Sequence, residues 1–158
     1  MSKKTKTYII SIIIPLAIGG LSALLTKNNM DINNDVNMPP LSPPSFLFPI
    51  VWSILYVLMG ISSARVYLKI EENRENSERG LFFYIISLIL NFFWSLFFFN
   101  KRAFLFSFVW LVLLICSIIL TIVNYKKADK IAFWLQIPYL LWTLFAAYLN
   151  FMIYILNA

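Results

Sequence analysis

The chain has 158 residues, of which 61% are apolar and 13% are charged, and its net charge is +6. A soluble domain of this size carries about 25% charged residues, so the composition excludes a water-soluble globule and predicts that lipid surrounds the chain. With no histidine and a single cysteine, Cys116, the chain cannot assemble a Ser-His-Asp triad or a cysteine–histidine metal cluster. We therefore expect neither a metal site nor a required cofactor.

Five apolar runs are long enough to cross the hydrocarbon core, which takes about 20 helical residues. In chain order they are residues 8–25, 46–64, 81–99, 103–123 and 131–156. None of them alternates apolar with polar residues as barrel strands do. The sequence therefore predicts an all-α membrane protein, a five-transmembrane-helix bundle that forms one domain over residues 1–158. The first run is longer than the apolar core of a signal peptide, about 7–15 residues, and is interpreted as a retained span.

The connection over residues 26–45 is the longest one and is rich in Asn, Asp and Pro, which favour turns and extended backbone over helix. It leads directly into the second run. We therefore expect it to fold over the outer mouth of the bundle as a lid.

Lysine and arginine are distributed unequally between the two ends of the predicted bundle. Ten lie in the N-terminal tail and in segments 65–80 and 124–130, which five spans place on one side. Only Lys27, Lys101 and Arg102 lie on the other. The positive-inside rule then predicts a cytoplasmic N-terminus and an outside C-terminus. The positive charge faces anionic headgroups and not nucleic acid, and the Ile-, Lys- and Asn-rich usage points to a bacterial cell membrane.

All seven acidic residues lie outside the predicted spans, and no internal repeat is visible. Ion-driven transporters usually carry an ionisable group inside the membrane, so active transport by this chain is disfavoured. What remains inside the membrane is a set of amides and tryptophans. Helical spacing places Trp52 with Tyr56, Asn91 with Trp94, and Trp142 with neighbouring small residues, each on one helix face. Such faces either line a cavity for a flat ligand with a polar edge or form ordinary helix packing, and the spacing leaves both open.

Three motifs in the chain resemble those of the translocator proteins, also called tryptophan-rich sensory proteins or peripheral-type benzodiazepine receptors. The first runs from Pro43-Pro44-Ser45-Phe46 to Trp52, Tyr56 and Met59-Gly60. The second is the stretch 90–95, Leu-Asn-Phe-Phe-Trp-Ser, and the third spans 138–150, from Pro-Tyr-Leu-Leu-Trp to Tyr-Leu-Asn. The order, the spacing and the five runs agree over nearly the whole chain.

The resemblance implies a ligand cavity that opens under the first extracytoplasmic loop. It also implies a receptor that binds tetrapyrroles such as protoporphyrin IX, and benzodiazepine-type drugs, and that forms a homodimer. Light-dependent porphyrin degradation is a further implied activity, with Trp52 and Trp142 as the catalytic electron or radical relay. The ligand-binding residues carried over from the family are Ala23, Pro44, Trp52, Asn91, Trp94, Trp142, Ala146 and Leu149.

The chain departs from the family in two places. The first loop has no aromatic residue between positions 26 and 42, and Tyr154 is not followed by a basic residue, so we expect no C-terminal sterol motif. Two other functions stay open. One is a transporter, or accessory transport subunit, for porphyrins or other amphiphiles. The other is a structural membrane protein whose aromatic faces only pack.

Overall fold

The computed structural model covers all 158 residues. It contains five long helices and no strands, and each helix is long and apolar enough to cross a membrane. The helices are α1 (Lys3–Thr26), α2 (Leu47–Leu68), α3 (Arg74–Ser95), α4 (Phe104–Ala128) and α5 (Lys130–Asn157). A single π-helical turn, Leu96–Asn100, continues α3. The prediction of a five-helix all-α membrane protein is confirmed.

The helices extend beyond the apolar runs because polar residues cap and prolong them outside the hydrocarbon. α1 begins five residues before the first predicted span, where the Ser2 hydroxyl accepts a hydrogen bond from the Thr5 backbone N–H. α3 begins two turns early, at Arg74, and its exposed first turns carry the Arg74–Glu78 pair at 2.7 Å. An apolar run marks the part of a helix that lipid covers, and so it understates the length of the helix.

Neighbours in the bundle follow the order α1, α2, α5, α4, α3, and a looser contact between α3 and α1 closes the ring. α1 and α2 approach closely at Gly60, which has no side chain to hold them apart. A Cβ atom added there would lie 2.5 Å from the Ile12 Cα and 2.7 Å from the Ser11 carbonyl oxygen. The small residue thus sets the α1–α2 distance, as small residues commonly do where membrane helices approach closely.

Asn150 of α5 joins three helices inside the bundle. Its Oδ1 accepts from the Trp94 Nε1 at 3.1 Å, and its Nδ2 donates to the Phe104 carbonyl oxygen at 2.7 Å. Asn150 is fully buried and both ends of its amide are satisfied. This amide therefore serves packing, because an unpaired amide would be costly in this environment.

A cluster of charges ties α2 to α5 at the end of the bundle that carries the N-terminus. The Asp129 carboxylate accepts from Arg65 at 2.9 Å, from Lys69 at 3.0 Å and from the Ala132 backbone N–H at 2.8 Å. The Asp129 side chain is 1% exposed, against 27% for Arg65 and 40% for Lys69. Burial by itself raises the pKa of Asp129, but these hydrogen bonds outweigh burial and hold the pKa at about 2.

The stability that Asp129 contributes is expected to depend on pH. Because its folded pKa lies below the ordinary value of about 3.9, the contribution is complete above about pH 4 and is lost as the pH falls through about 2. The free energy of unfolding of the wild-type protein and of Asp129→Asn, measured in detergent from pH 7 to pH 2, should converge over the acidic part of this range. A constant difference between them would contradict the assignment.

The 26–45 connection lies over the opposite end of the bundle without forming a helix. Ile32, in its middle, is 4% exposed and packs into the hydrophobic core. Asn37 holds the segment to the end of α5, because its backbone N–H donates to the Asn157 Oδ1 at 2.8 Å. Tyr148 of α5 donates to the Pro40 carbonyl oxygen at 3.0 Å. These hydrogen bonds are exposed to solvent, so each adds little to stability.

Candidate functional site

A cavity of about 220 Å³ lies between α1, α2, α5 and the end of α3, beside the 26–45 connection. Its walls are mainly aromatic and small side chains. The aromatic and small residues in its lining include Gly19, Ala23, Phe48, Trp52, Tyr56, Trp94, Phe99, Trp142 and Ala146. Aromatic rings beside small residues are a lining suited to a planar apolar molecule.

Trp52 and Tyr56 form the α2 wall of the cavity. They are one helical turn apart, and their rings stack with centroids 5.5 Å apart and planes at 28°. The Tyr56 hydroxyl accepts a hydrogen bond from the Asn91 Nδ2 of α3 at 3.1 Å. The Asn91 Oδ1 is buried and has no partner. Asn91 thus holds the Tyr56 hydroxyl from α3, and its own Oδ1 remains an unpaired acceptor.

Gly19 of α1 faces the Tyr56 ring directly. Any Cβ atom at this position would overlap that ring, and the ring cannot move away freely because it stacks on Trp52. The absence of a side chain at Gly19 therefore lets α1 close the cavity against Tyr56.

Trp142 forms the α5 wall. Its ring meets Phe48 edge to face, with centroids 5.8 Å apart. The Trp142 Nε1 is buried and has no acceptor within the protein. A buried indole N–H normally finds an acceptor, so the Trp142 Nε1 is a donor that the protein itself leaves unpaired.

The π-helical turn at the end of α3 shapes the third wall. There the Lys101 backbone N–H donates to the Leu96 carbonyl oxygen, five residues back, at 3.1 Å. The turn places Phe99 beside Trp94, with ring centroids 6.2 Å apart, and both line the cavity. Such π turns inside helices occur frequently at functional sites.

Five of the eight predicted ligand residues line the cavity, and the remaining three do not. The five are Ala23, Trp52, Trp94, Trp142 and Ala146. Asn91 lies one layer behind and reaches the wall through Tyr56. Leu149 instead lines a hollow of about 40 Å³ under the 26–45 connection. Pro44 is exposed and lines neither space.

Tyr56, Phe48 and Phe99 belong to the cavity but were not among the predicted site residues. Tyr56 shares a helix face with Trp52, and that spacing was sufficient to include it. Phe48 sits four residues before Trp52, so the same periodicity would have found it as well. Phe99 could not be found this way, because the π turn changes the helical register before it.

The fold and the cavity together define an integral membrane protein with five helices and an aromatic-walled cavity at one end of the bundle. The chain belongs to the TspO/MBR family, whose family model matches residues 11–156.

Two bacterial and archaeal relatives cover this chain almost completely, and an animal relative covers nearly three quarters of it. The tryptophan-rich protein TspO of Chlorobaculum tepidum is 35% identical over 158 residues, 99% of each chain. The protein of the same name from Archaeoglobus fulgidus is 38% identical over 149 residues, 94% of this chain and 95% of the relative. The translocator protein of the sheep, Ovis aries, is 31% identical over 113 residues, 72% of this chain and 67% of the relative. The predicted family is therefore confirmed.

Proposed function

We propose that this protein is a membrane receptor for flat, amphiphilic tetrapyrroles such as protoporphyrin IX, and that it holds them in the aromatic cavity. The observation that carries the proposal is the buried Trp142 Nε1, which has no acceptor within the protein although the Trp142 residue lines the cavity. A porphyrin offers a large planar apolar surface for Trp52, Tyr56 and Trp142, together with carboxylate oxygens at its edge. The same features suit benzodiazepine-type drugs, which are flat and carry carbonyl oxygens.

The cavity must widen to hold a macrocycle, because its volume of about 220 Å³ is below the range of about 300–1,000 Å³ typical of ligand pockets. The structure offers a way to widen it. Met30, Phe48, Trp94, Phe99 and Ala146 line both the cavity and the small hollow under the 26–45 connection. Displacing this connection would merge the two spaces.

The polar contacts that hold the connection are exposed and individually weak, so the burial of Ile32 is the main cost of displacing it. The Arg102–Asp35 ion pair, at 2.7 Å, has both side chains more than a third exposed, and such pairs contribute about 0–1 kcal/mol. The hydrogen bonds of Asn37 and Tyr148 are exposed as well. The segment is therefore proposed to act as a lid over the cavity.

Trp142→Phe is expected to weaken protoporphyrin IX binding about tenfold, since it removes the free N–H donor and part of the aromatic surface. Binding is measured in the dark, in detergent, through the porphyrin absorbance. This signal comes from the ligand, so replacing a tryptophan does not alter its intensity directly. Trp134→Phe is the matched control, because Trp134 is 67% exposed and far from the cavity walls. The fold should survive Trp142→Phe, since the lost N–H has no partner.

Equal protoporphyrin IX affinities for the wild type, Trp142→Phe and Trp134→Phe would show that the cavity is not the binding site. They would favour a structural role for the aromatic faces. Porphyrin flux into sealed liposomes containing the protein would favour the transporter. Light-dependent porphyrin degradation stays a prediction. It requires that bound porphyrin be lost faster under illumination from the wild-type complex than from the complex of a Trp52→Phe, Trp142→Phe double variant. The two complexes are compared at equal porphyrin occupancy.

A further inference from the structure

A second and larger crevice, of about 570 Å³, lies at the other end of the bundle, where α3 and α1 make their loose contact. It is separate from the aromatic cavity and shares no lining residue with it. Its lining residues come from α1, α2 and α3. They include Lys3, Lys6, Ile10, Ile14, Tyr84 and Leu88.

The crevice has the length of one lipid leaflet. Along α1 it extends from Lys3 to Ile14, and eleven residues at 1.5 Å each make about 16 Å. The hydrocarbon core of a bilayer is about 30 Å thick, so one leaflet takes about half of that. The crevice therefore begins at the membrane surface and ends near the midplane.

The polar groups of the crevice are placed as an anionic amphiphile requires. Lys3 and Lys6 stand at its surface end, and neither takes part in any of the five ion pairs of the protein. Deeper in the crevice lies Tyr84, which is 5% exposed and whose hydroxyl has no hydrogen-bond partner. The lining below this level is largely apolar, with Ile10, Ile14 and Leu88, and Ser11 is the polar residue among them.

We propose that this crevice binds one anionic phospholipid. The phosphate pairs with Lys3 and Lys6, an acyl chain fills the apolar part, and the lipid ester oxygens supply the acceptor that the Tyr84 hydroxyl lacks. A second copy of the chain is a poorer occupant, because α1 of that copy would bring further lysines and no acid against these lysines. The proposal is independent of what the aromatic cavity binds.

The test uses the full chain in detergent, with native mass spectrometry to count bound phosphatidylglycerol against phosphatidylcholine of the same acyl chains. Each basic residue near a membrane surface is worth roughly fivefold in affinity for anionic lipid, so Lys3→Gln/Lys6→Gln should weaken phosphatidylglycerol binding about 30-fold. Lys126→Gln/Lys127→Gln is the matched control, because it removes equal charge at the same end of the bundle, outside the crevice. Tyr84→Phe should weaken binding about fivefold and leave the fold intact.

A photo-cross-linking amino acid locates the lipid. It replaces either Ile10, which is 46% exposed inside the crevice, or Leu120, which is 43% exposed on α4. In vesicles of one part phosphatidylglycerol to four parts phosphatidylcholine, adducts at position 10 should be enriched in phosphatidylglycerol, and adducts at position 120 should match the bulk ratio. Bulk-ratio adducts at both positions would overturn the proposal. So would equal weakening by the two double-lysine variants, or protein–protein adducts at position 10, which would assign the crevice to a dimer.

Discussion

Gly60→Ala is expected to lower the free energy of unfolding by about 2–3 kcal/mol, although it adds a single methyl group. Overpacking a well-packed core costs about 1–3 kcal/mol, and the upper part of this range applies because the new methyl would meet backbone atoms. Its Cβ would lie 2.5 Å from the Ile12 Cα and 2.7 Å from the Ser11 carbonyl oxygen. A side chain could rotate away from such a contact, whereas a helix backbone cannot. The whole of α1 would have to shift.

Gly20→Ala is the matched control for this effect. No atom lies within 4 Å of a Cβ built at Gly20, and alanine is favoured over glycine in a helix by about 1 kcal/mol. This variant should therefore be neutral or slightly stabilised. Both are measured by unfolding in mixed detergent micelles followed by circular dichroism. Equal midpoints for Gly60→Ala and Gly20→Ala would show that α1 and α2 are not in close contact at Gly60.

The same shift of α1 should also affect ligand binding. α1 supplies Gly19 and Ala23 to the aromatic cavity, so moving it changes the distance between these residues and the α2 wall. We expect protoporphyrin IX affinity to fall in Gly60→Ala, and Gly20→Ala is a control for stability only, because Gly20 itself lines the cavity.

Asp129→Ala is expected to destabilise the fold by about 3 kcal/mol. Removing one partner of a buried ion pair costs about 3–5 kcal/mol, and partial exposure of Arg65 and Lys69 reduces that cost. Loss of the helix cap on Ala132 adds about 1 kcal/mol. Asp129→Asn keeps an oxygen for the cap and should cost about 1 kcal/mol less than Asp129→Ala. The difference between the two variants measures the contribution of the cap, and the cost of Asp129→Asn measures that of the charge.

Glu78→Gln is the control for charge removal at the same end of the bundle. Its pair with Arg74 is exposed at both side chains, 51% and 81%, and exposed pairs within one helix contribute about 0.5 kcal/mol or less. The unfolding free energies of all three variants are compared at pH 7. If Glu78→Gln were as destabilising as Asp129→Ala, burial would not be the source of the effect.

The number of helices and their nature could be predicted because lipid imposes a strong constraint on composition. A helix that crosses about 30 Å of hydrocarbon needs about 20 apolar residues, and five such runs are visible in the chain. The family could be predicted as well, because three motifs appear in the same order and spacing. The starts of α1 and α3 could not, since polar residues prolong these two helices outside the hydrocarbon, where no apolar run marks them.

The aromatic faces were visible in the sequence, but their separation into cavity and packing was not. Trp94 illustrates the difficulty, because its ring lines the cavity while its N–H bonds Asn150 inside the bundle. Helical spacing gives the face on which a residue lies and does not give the partner opposite. Trp142 and Trp94 looked equivalent by spacing, and only the structure shows that one indole N–H is satisfied and the other is free.

By itself, the sequence determined that this protein spans a membrane with five helices, and it determined the family to which the chain belongs. Composition and motif order along the chain are sufficient for both. The tertiary structure alone decided that α1 meets α3 loosely, that a crevice opens between them beside Lys3 and Lys6, and that Gly60 brings α1 against α2. The physical reason is that helices in lipid associate through close packing of side chains from distant parts of the chain, and no local pattern encodes that pairing.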